Sequence, residues 1–290
     1  MPEGDSVYQL ARRLQFMVGR TVLRCSLRVP SVATVDLAGS PVRRVWPYGK
    51  HLFHLIGEDI LHTHLKMEGT WAMHLAGDRW TRPGHTARVV LTLDGAPHPR
   101  PLEVVGHNLG LVEVFPATAY STRMGYLGPD VLGQDWPDWG RQEAIRRLGS
   151  QPDRPIGTAL LDQHLLAGVG NEYRAEICFI AGVHPATPVS AVDLEQVVDI
   201  TRRLMWSNKD SPLRVTTGVR RAGESSYVFG RRHRPCRRCG SLILSANLGG
   251  PDAGGREGEL ERIIWWCPRC QPAPVDAPPG LPDAGGFAGP

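Results

Sequence analysis

The sequence predicts an α+β multidomain protein: an N-terminal β-sandwich with a leading helix, then a helical domain, then a small cysteine-paired ribbon. Three observations predict it. Between about residues 21 and 115, apolar residues alternate with period two in short runs broken by Gly, Pro and Asp. From Arg141 onward the spacing becomes helical. Near the end, four of the six cysteines fall into two C-x2-C pairs. A chain of 290 residues exceeds one typical domain, and 41% hydrophobic residues supports packed cores and excludes a disordered composition. No run approaches the ~20 apolar residues of a membrane span. The polar, acidic start does not read as a secretory signal, so cytoplasmic residence is expected. We expect a catalytic sandwich domain over 1–120, a linker over 121–136 and a helical domain over 137–230. A ribbon over 231–271 and a disordered tail over 272–290 complete the chain.

The leading helix follows from Val7, Leu10, Leu14, Met17 and Val18 at helical spacing, with Asp5 or Ser6 placed to cap it and Gly19 to end it. The strands are read at residues 21–29, 51–56, 87–93 and 111–115, and their alternation fits a sandwich and equally a barrel. Lys50, between Gly49 and a strand, is a solvated turn lysine or a phosphate contact. His62 and His64 share one strand face, which suits a structural role or a metal pair. Met67 and Glu68 lie at a loop tip, where an apolar side chain faces a core or acts as a wedge.

Residues 121–137 are turn-rich and aperiodic. Helices are then expected over 141–148, 156–166, 171–181 and 193–206. Between the second and third lies Gly168-Val169-Gly170-Asn171, a tight turn whose next helix opens at Asn171. A plain helix hairpin and an anion-binding turn both fit that spacing. Cys236, Cys239, Cys267 and Cys270 form C-x2-C-x27-C-x2-C, the paired-thiolate pattern of one tetrahedral structural zinc, with strands expected at 242–245 and 262–266. The middle spacing is longer than usual by roughly ten residues. The excess falls in the glycine-rich stretch 249–258, read as an inserted loop. Net charge is only +4, but Ser211 to Cys270 holds 11 Lys and Arg against 5 acids. A basic end on a near-neutral body is an electrostatic footprint for a polyanion.

The start, Met1-Pro2-Glu3-Gly4-Asp5, reads as an ordinary N-terminus or as chemistry. Removal of Met1 would leave Pro2 with a secondary α-amine titrating at about 7.7–8.0, against about 10.4 for lysine, so far more of it is nucleophilic at neutral pH. Lying just before a helix, it is held neutral by the positive end of the dipole, which equally favours ionised Glu3. Proton donation by Glu3 then requires burial or contact with a partner.

Pro-Glu start, β-rich domain, Gly-x-Gly-Asn helix pair and basic terminal ribbon occur here in that order. Over Pro2 to Gln271 the chain resembles the formamidopyrimidine-DNA glycosylase and endonuclease VIII family of base-excision repair enzymes, most of all the actinobacterial endonuclease VIII-like proteins. The resemblance implies Pro2 as the nucleophile at C1′ of a damaged nucleotide and Glu3 as the catalytic carboxylate. It implies Lys50 as a phosphate-binding lysine of the catalytic site, Asn171 as the helix–two-turn–helix residue gripping the backbone, and Arg262 as the ribbon arginine clamping phosphates. Glu176 is similar to a supporting glutamate. Two departures bear on substrate. Met67 fits the family wedge, but the arginine and phenylalanine that complete it in the purine branch correspond to His107 and Leu109. Residues 216–230 also lack a Thr-Leu-Arg-Asp stretch like that of the purine-capping loop. The expectation is a monomeric bifunctional glycosylase and abasic-site lyase acting on damaged DNA, favouring oxidised pyrimidines and cutting by β,δ-elimination. The alternatives are an oxidised-purine glycosylase and a non-catalytic zinc-ribbon binder of damaged DNA.

Overall fold

The computed structural model describes residues 2–95, 99–250, 255 and 260–274. The chain divides into two compact units, Met1–Gly125 and Tyr126–Pro290. Among the described residues no helix is long and apolar enough to cross a membrane.

The first unit opens with α1 (Gly4–Arg13), continued by a 3-10 turn over Leu14–Met17. Eight strands follow: β1 (Val22–Leu27), β2 (Val42–Tyr48), β3 (His51–Ile56), β4 (Asp59–His64), β5 (Thr70–Leu75), β6 (Ala87–Leu93), β7 (Leu102–His107) and β8 (Leu111–Pro116). They form two antiparallel four-stranded sheets, ordered β1-β6-β7-β5 and β2-β3-β4-β8. One core fills the space between them. Val7, Leu10, Leu14 and Met17 of the leading helix join Leu52, Leu61, Leu91 and Val104 in it, so the helix is fixed by its apolar stripe rather than by propensity. The short α2 (Tyr120–Met124) returns to the outer face of the second sheet, where Tyr120 and Met124 pack with Phe53, Ile60 and Phe115.

The second unit carries α3 (Arg141–Gly149), α4 (Ile156–Ala159), α5 (Asn171–Ala181), α6 (Leu194–Asn208) and the antiparallel ribbon of β9 (Leu244–Leu248) and β10 (Arg262–Trp266). Ala175 and Phe179 of α5 share one core with Ile243, Leu248, Ile264 and Trp266 of the ribbon. A two-stranded ribbon cannot bury enough apolar surface by itself, and α5 supplies the missing face.

Three expectations are corrected. The helix expected over 156–166 stops at Ala159. Buried Asp162 instead accepts the His164 amide at 2.9 Å and pairs with Arg154 at 2.7 Å, a side-chain alternative to the helical ladder. The first ribbon strand begins at Leu244 rather than 242, because residues 241–243 close the first cysteine turn through Cys236 N–H to Ser241 O and Ile243 N–H to Arg234 O. The stretch expected to be aperiodic over 121–137 contains most of α2 and the start of a π-turn at Trp136–Gly140. Of the expected inserted loop, 251–254 and 256–258 lie outside the described residues, as does most of the expected disordered tail, 275–290.

Candidate functional site

In the first unit, Pro2 is half-buried and immediately precedes the N-cap of α1. That N-cap is Glu3, not Asp5 or Ser6 as expected. Its extended backbone (φ −122°, ψ −174°) lets its carbonyl accept from Ser6 N–H at 3.0 Å and Val7 N–H at 3.2 Å, so the helical ladder starts early. Asp5 lies inside the first turn, where its Oδ1 accepts from the Ser6 amide at 2.7 Å. The Glu3 residue is fully buried. The Pro2-Glu3 pair is thus held at the positive end of a helix whose apolar stripe is locked in the core.

Lys50 sits in a two-residue hairpin loop, Gly49-Lys50, closed by the pair Tyr48 and His51. Gly49 has φ +54° at the first central position, where primed hairpin turns require a positive φ. On the outward face beside it, His51 Nδ1 and His62 Nε2 are 2.8 Å apart and His62 Nδ1 lies 3.1 Å from Glu113 Oε2. Phe53 stacks on the His62 ring at 4.6 Å. Burial pushes the His64 imidazole down to about 3, and His62 also titrates below its ordinary value. His64 Nδ1 accepts from the Lys66 amide at 2.8 Å. The histidines are bonded to one another and to the chain, and among the described residues only the cysteines form a group of three or more metal-ligand side chains. The His62/His64 metal alternative is therefore set aside in favour of a hydrogen-bonded one.

Met67 stands at the β4–β5 turn with 65% of its surface exposed. The turn is fixed by Lys66 at φ +51° and by Gly69, whose amide donates to Leu65 O at 2.9 Å; a Cβ at position 69 would meet that oxygen at 2.4 Å. His107 and Leu109 are both buried, His107 Nδ1 lying 2.8 Å from the Thr86 hydroxyl and Leu109 packing in the main core. Of the three positions compared with the family wedge, Met67 alone is exposed.

In the second unit, Gly168 (φ +111°) makes the tight turn, and Gly170 is the N-cap of α5 with Asn171 its first residue. Gln163, which sequence reasoning passed over, builds the turn from within: its Oε1 accepts from Gly168 N–H at 2.9 Å and its Nε2 donates to Val169 O at 3.0 Å. Asn171 is buried and donates from Nδ2 to Ile263 O at 3.0 Å. Arg174, one turn on and fully buried, donates to the carbonyls of Gly157, Arg262 and Ile263 at 3.1, 3.0 and 3.3 Å. Asn171 and Arg174 therefore clasp the backbone of β10 where it carries the exposed Arg262 side chain. An arginine amid the apolar residues of a short helix is the signal that could have revealed this clasp. Glu176 is a structural anchor: it accepts from the amides of Tyr227, Val228 and Phe229 at 2.8, 2.8 and 2.9 Å and from the Thr216 hydroxyl. It holds the chain leading into the ribbon against α5.

The ligand sulfurs of Cys236, Cys239, Cys267 and Cys270 all lie within 4.8 Å of one another. Cys239 and Cys267 are 3.4 Å apart and Cys236 and Cys270 3.9 Å, close to the ~3.8 Å that four Zn–S bonds of about 2.3 Å impose in a tetrahedron. The Arg238 and Cys270 amides donate to the sulfurs of Cys236 and Cys267, each at 3.4 Å, the support a bound thiolate needs. The donor set fits a metal ion. Buried Gln271 fastens the second pair, accepting from Cys267 N–H at 3.0 Å and donating to Val183 O at 2.8 Å.

Buried Glu3 next to Pro2, the hairpin Lys50, the helix turn opening on Asn171 and the four-cysteine ribbon are the features on which the resemblance to the DNA glycosylases rests, and comparison with known proteins agrees on the family. Residues 1–104 match the family model of the formamidopyrimidine-DNA glycosylase N-terminal domain, and 127–206 that of the formamidopyrimidine-DNA glycosylase H2TH domain. The chain is 43% identical over 276 residues to the DNA-(apurinic or apyrimidinic site) lyase Nei2 of Mycolicibacterium smegmatis, covering 94% of this chain and 100% of that one. It is 42% identical over 273 residues to endonuclease 8 2 of Mycobacterium tuberculosis, covering 93% and 100%. The structure superposes with a TM-score of 0.74 on that of MutM in complex with DNA containing carbocyclic 8-oxo-G, at 20% identity over 94% of this chain and 100% of that one, a likeness of fold. The chain belongs to the formamidopyrimidine-DNA glycosylase and endonuclease VIII family, in its actinobacterial endonuclease VIII-like branch.

Proposed function

We propose that the protein is a bifunctional DNA glycosylase and abasic-site lyase of base-excision repair. The observation that carries the reading is the buried Glu3 at the N-cap of α1 with Pro2 immediately before it. Once Met1 is removed, the Pro2 amine attacks C1′ of the damaged nucleotide, the N-glycosidic bond breaks and the base leaves. The C1′–O4′ bond then opens as O4′ takes up a proton, and the resulting Pro2 iminium is an electron sink. It acidifies the C2′ hydrogen, so the 3′ C–O bond breaks by β-elimination and the 5′ C–O bond by δ-elimination, leaving phosphorylated ends. Glu3 exchanges a proton with the opening sugar. Lys50, Asn171 and Arg262 hold the backbone phosphates while the nucleotide is turned out of the stack, and Met67 fills the gap it leaves. Glu176 acts through the segment it anchors. One zinc ion on Cys236, Cys239, Cys267 and Cys270 has a structural role, since four protein thiolates leave no position open for water.

The burial of His107 and Leu109 supports a preference for oxidised pyrimidines, because the remaining purine-branch wedge positions are occupied by core side chains. The test is borohydride trapping on a panel of lesion duplexes, followed by mass spectrometry of the adduct. The expected outcome is a covalent complex localised to the peptide that begins at Pro2, formed faster on an oxidised pyrimidine than on 8-oxoguanine. No adduct on abasic DNA overturns the lyase, and faster reaction on the purine reverses the preference.

A further inference from the structure

The hydrogen-bonded chain beside Lys50 has a direction. A carboxylate accepts and does not donate, so His62 Nδ1, 3.1 Å from Glu113 Oε2, carries a hydrogen. The other nitrogen of a neutral His62 is then an acceptor, and at 2.8 Å it takes its hydrogen from His51 Nδ1. A neutral His51 is left with a bare lone pair on Nε2. It is the open end of a Glu113–His62–His51 chain, next in sequence to Lys50. The residues that could alter its charge surround it on every side. Tyr48 of β2 pairs with it, His62 and His64 of β4 face it, and Lys50 and Lys66 flank it. Behind His62, Arg123 of α2 lies 3.9 Å from Glu113.

Burial first, then His64 and His62, then Lys50 and Lys66, hold the His51 imidazole well below its ordinary range. An arriving anion acts against the charge part of this balance. A phosphate next to Lys50 and Lys66 cancels their repulsion and adds an attraction of its own, while a bare Nε2 facing phosphate oxygen would be repelled.

We propose that His51 is a second phosphate-positioning residue of the Lys50 hairpin, taking up one proton from solvent at Nε2 when DNA binds, with Glu113 balancing the charge through His62. The proposal rests on the reading of this protein as a DNA-binding enzyme. The sign follows from linkage: the complex binds more protons than the free protein, so affinity rises as pH falls between the two His51 pKa values. On dissociation the proton returns to solvent.

The experiment uses the full-length zinc-loaded protein and a duplex carrying a non-cleavable abasic analogue. Affinity is read by fluorescence anisotropy at constant ionic strength from about pH 5.5 to 8.5, and proton uptake by calorimetry in buffers of different ionisation enthalpy. The wild type is expected to gain up to about tenfold in affinity per pH unit at the steepest point, with uptake of about one proton. His51→Asn, which still offers a donor to His62, is expected to flatten the profile. Glu113→Gln is expected to move the rise to lower pH, and it decides the matter if His51→Asn does not fold. A pH-independent wild type, or a rise unchanged in both variants, overturns the proposal while tight binding and borohydride trapping leave the functional reading standing. Failure to bind or trap at any pH overturns the functional reading and this proposal with it.

Discussion

Among the described residues, the N-caps of α1 and α5, Glu3 and Gly170, make no side-chain capping bond, whereas α6 starts on Asp193, whose Oδ1 accepts from Gln196 N–H at 3.0 Å. The N-caps of α1 and α5 have nearly the same extended backbone, φ −122° at Glu3 and −121° at Gly170. Both helices carry proposed site residues at their starts, Pro2-Glu3 in one unit and Asn171 in the other. α6 buries Val197, Val198, Thr201 and Met205 and carries none. A helix that serves only packing gains about 1 kcal/mol from its cap. The N-cap of α5 is a glycine, with no side chain to place across the helix start, whereas in α1 the Asp5 carboxylate already accepts from the Ser6 amide at 2.7 Å.

That contrast can be broken by substitution. The largest effect is expected for Glu3→Gln, which keeps shape and backbone but removes the carboxylate: single-turnover base release should slow by about 10²–10⁴-fold with little change in melting temperature. A matching loss of stability would recast Glu3 as a packing residue. Asn171→Ala is intermediate. It removes the donor to Ile263 O as well as the proposed phosphate grip, so DNA affinity should fall about tenfold and the second unit should also lose stability, by about 1–3 kcal/mol, in a denaturant titration. Asp193→Ala is the smallest, costing about 1 kcal/mol in the same titration and leaving DNA cleavage at the wild-type rate. If it slowed cleavage as much as Asn171→Ala does, the distinction between open and capped helix starts would fail.

Much of this was legible in the sequence because it depends on local signals. Period-two alternation gave β3 and β6 their limits, and Asn171–Ala181 was bounded by Gly170 before it and Gly182 after it. The four cysteines announced their cluster through spacing. What failed locally failed for identifiable reasons. Asp162 looks like a tolerable helical residue until Arg154 and His164 pair with it, and residues 241–243 look like strand until the cysteine turn takes their hydrogen bonds. Arg174 reads as an ordinary charged residue, and only its burial among three carbonyls shows that it sets the course of β10.

By itself the sequence determined the candidate groups: a proline next to a glutamate at the start, a lysine after a turn glycine, an asparagine opening a helix and four thiols in two pairs. Residue type and short spacing single out such candidates. Tertiary structure decided how those groups are held, because hydrogen bonds between distant segments have no sequence signature. It moved the N-cap onto Glu3, buried His107 and Leu109 while leaving Met67 exposed, and fastened β10 to α5. It also ordered His51, His62 and Glu113, 62 positions apart from first to last, into a chain with one possible direction of donation while its rings are neutral.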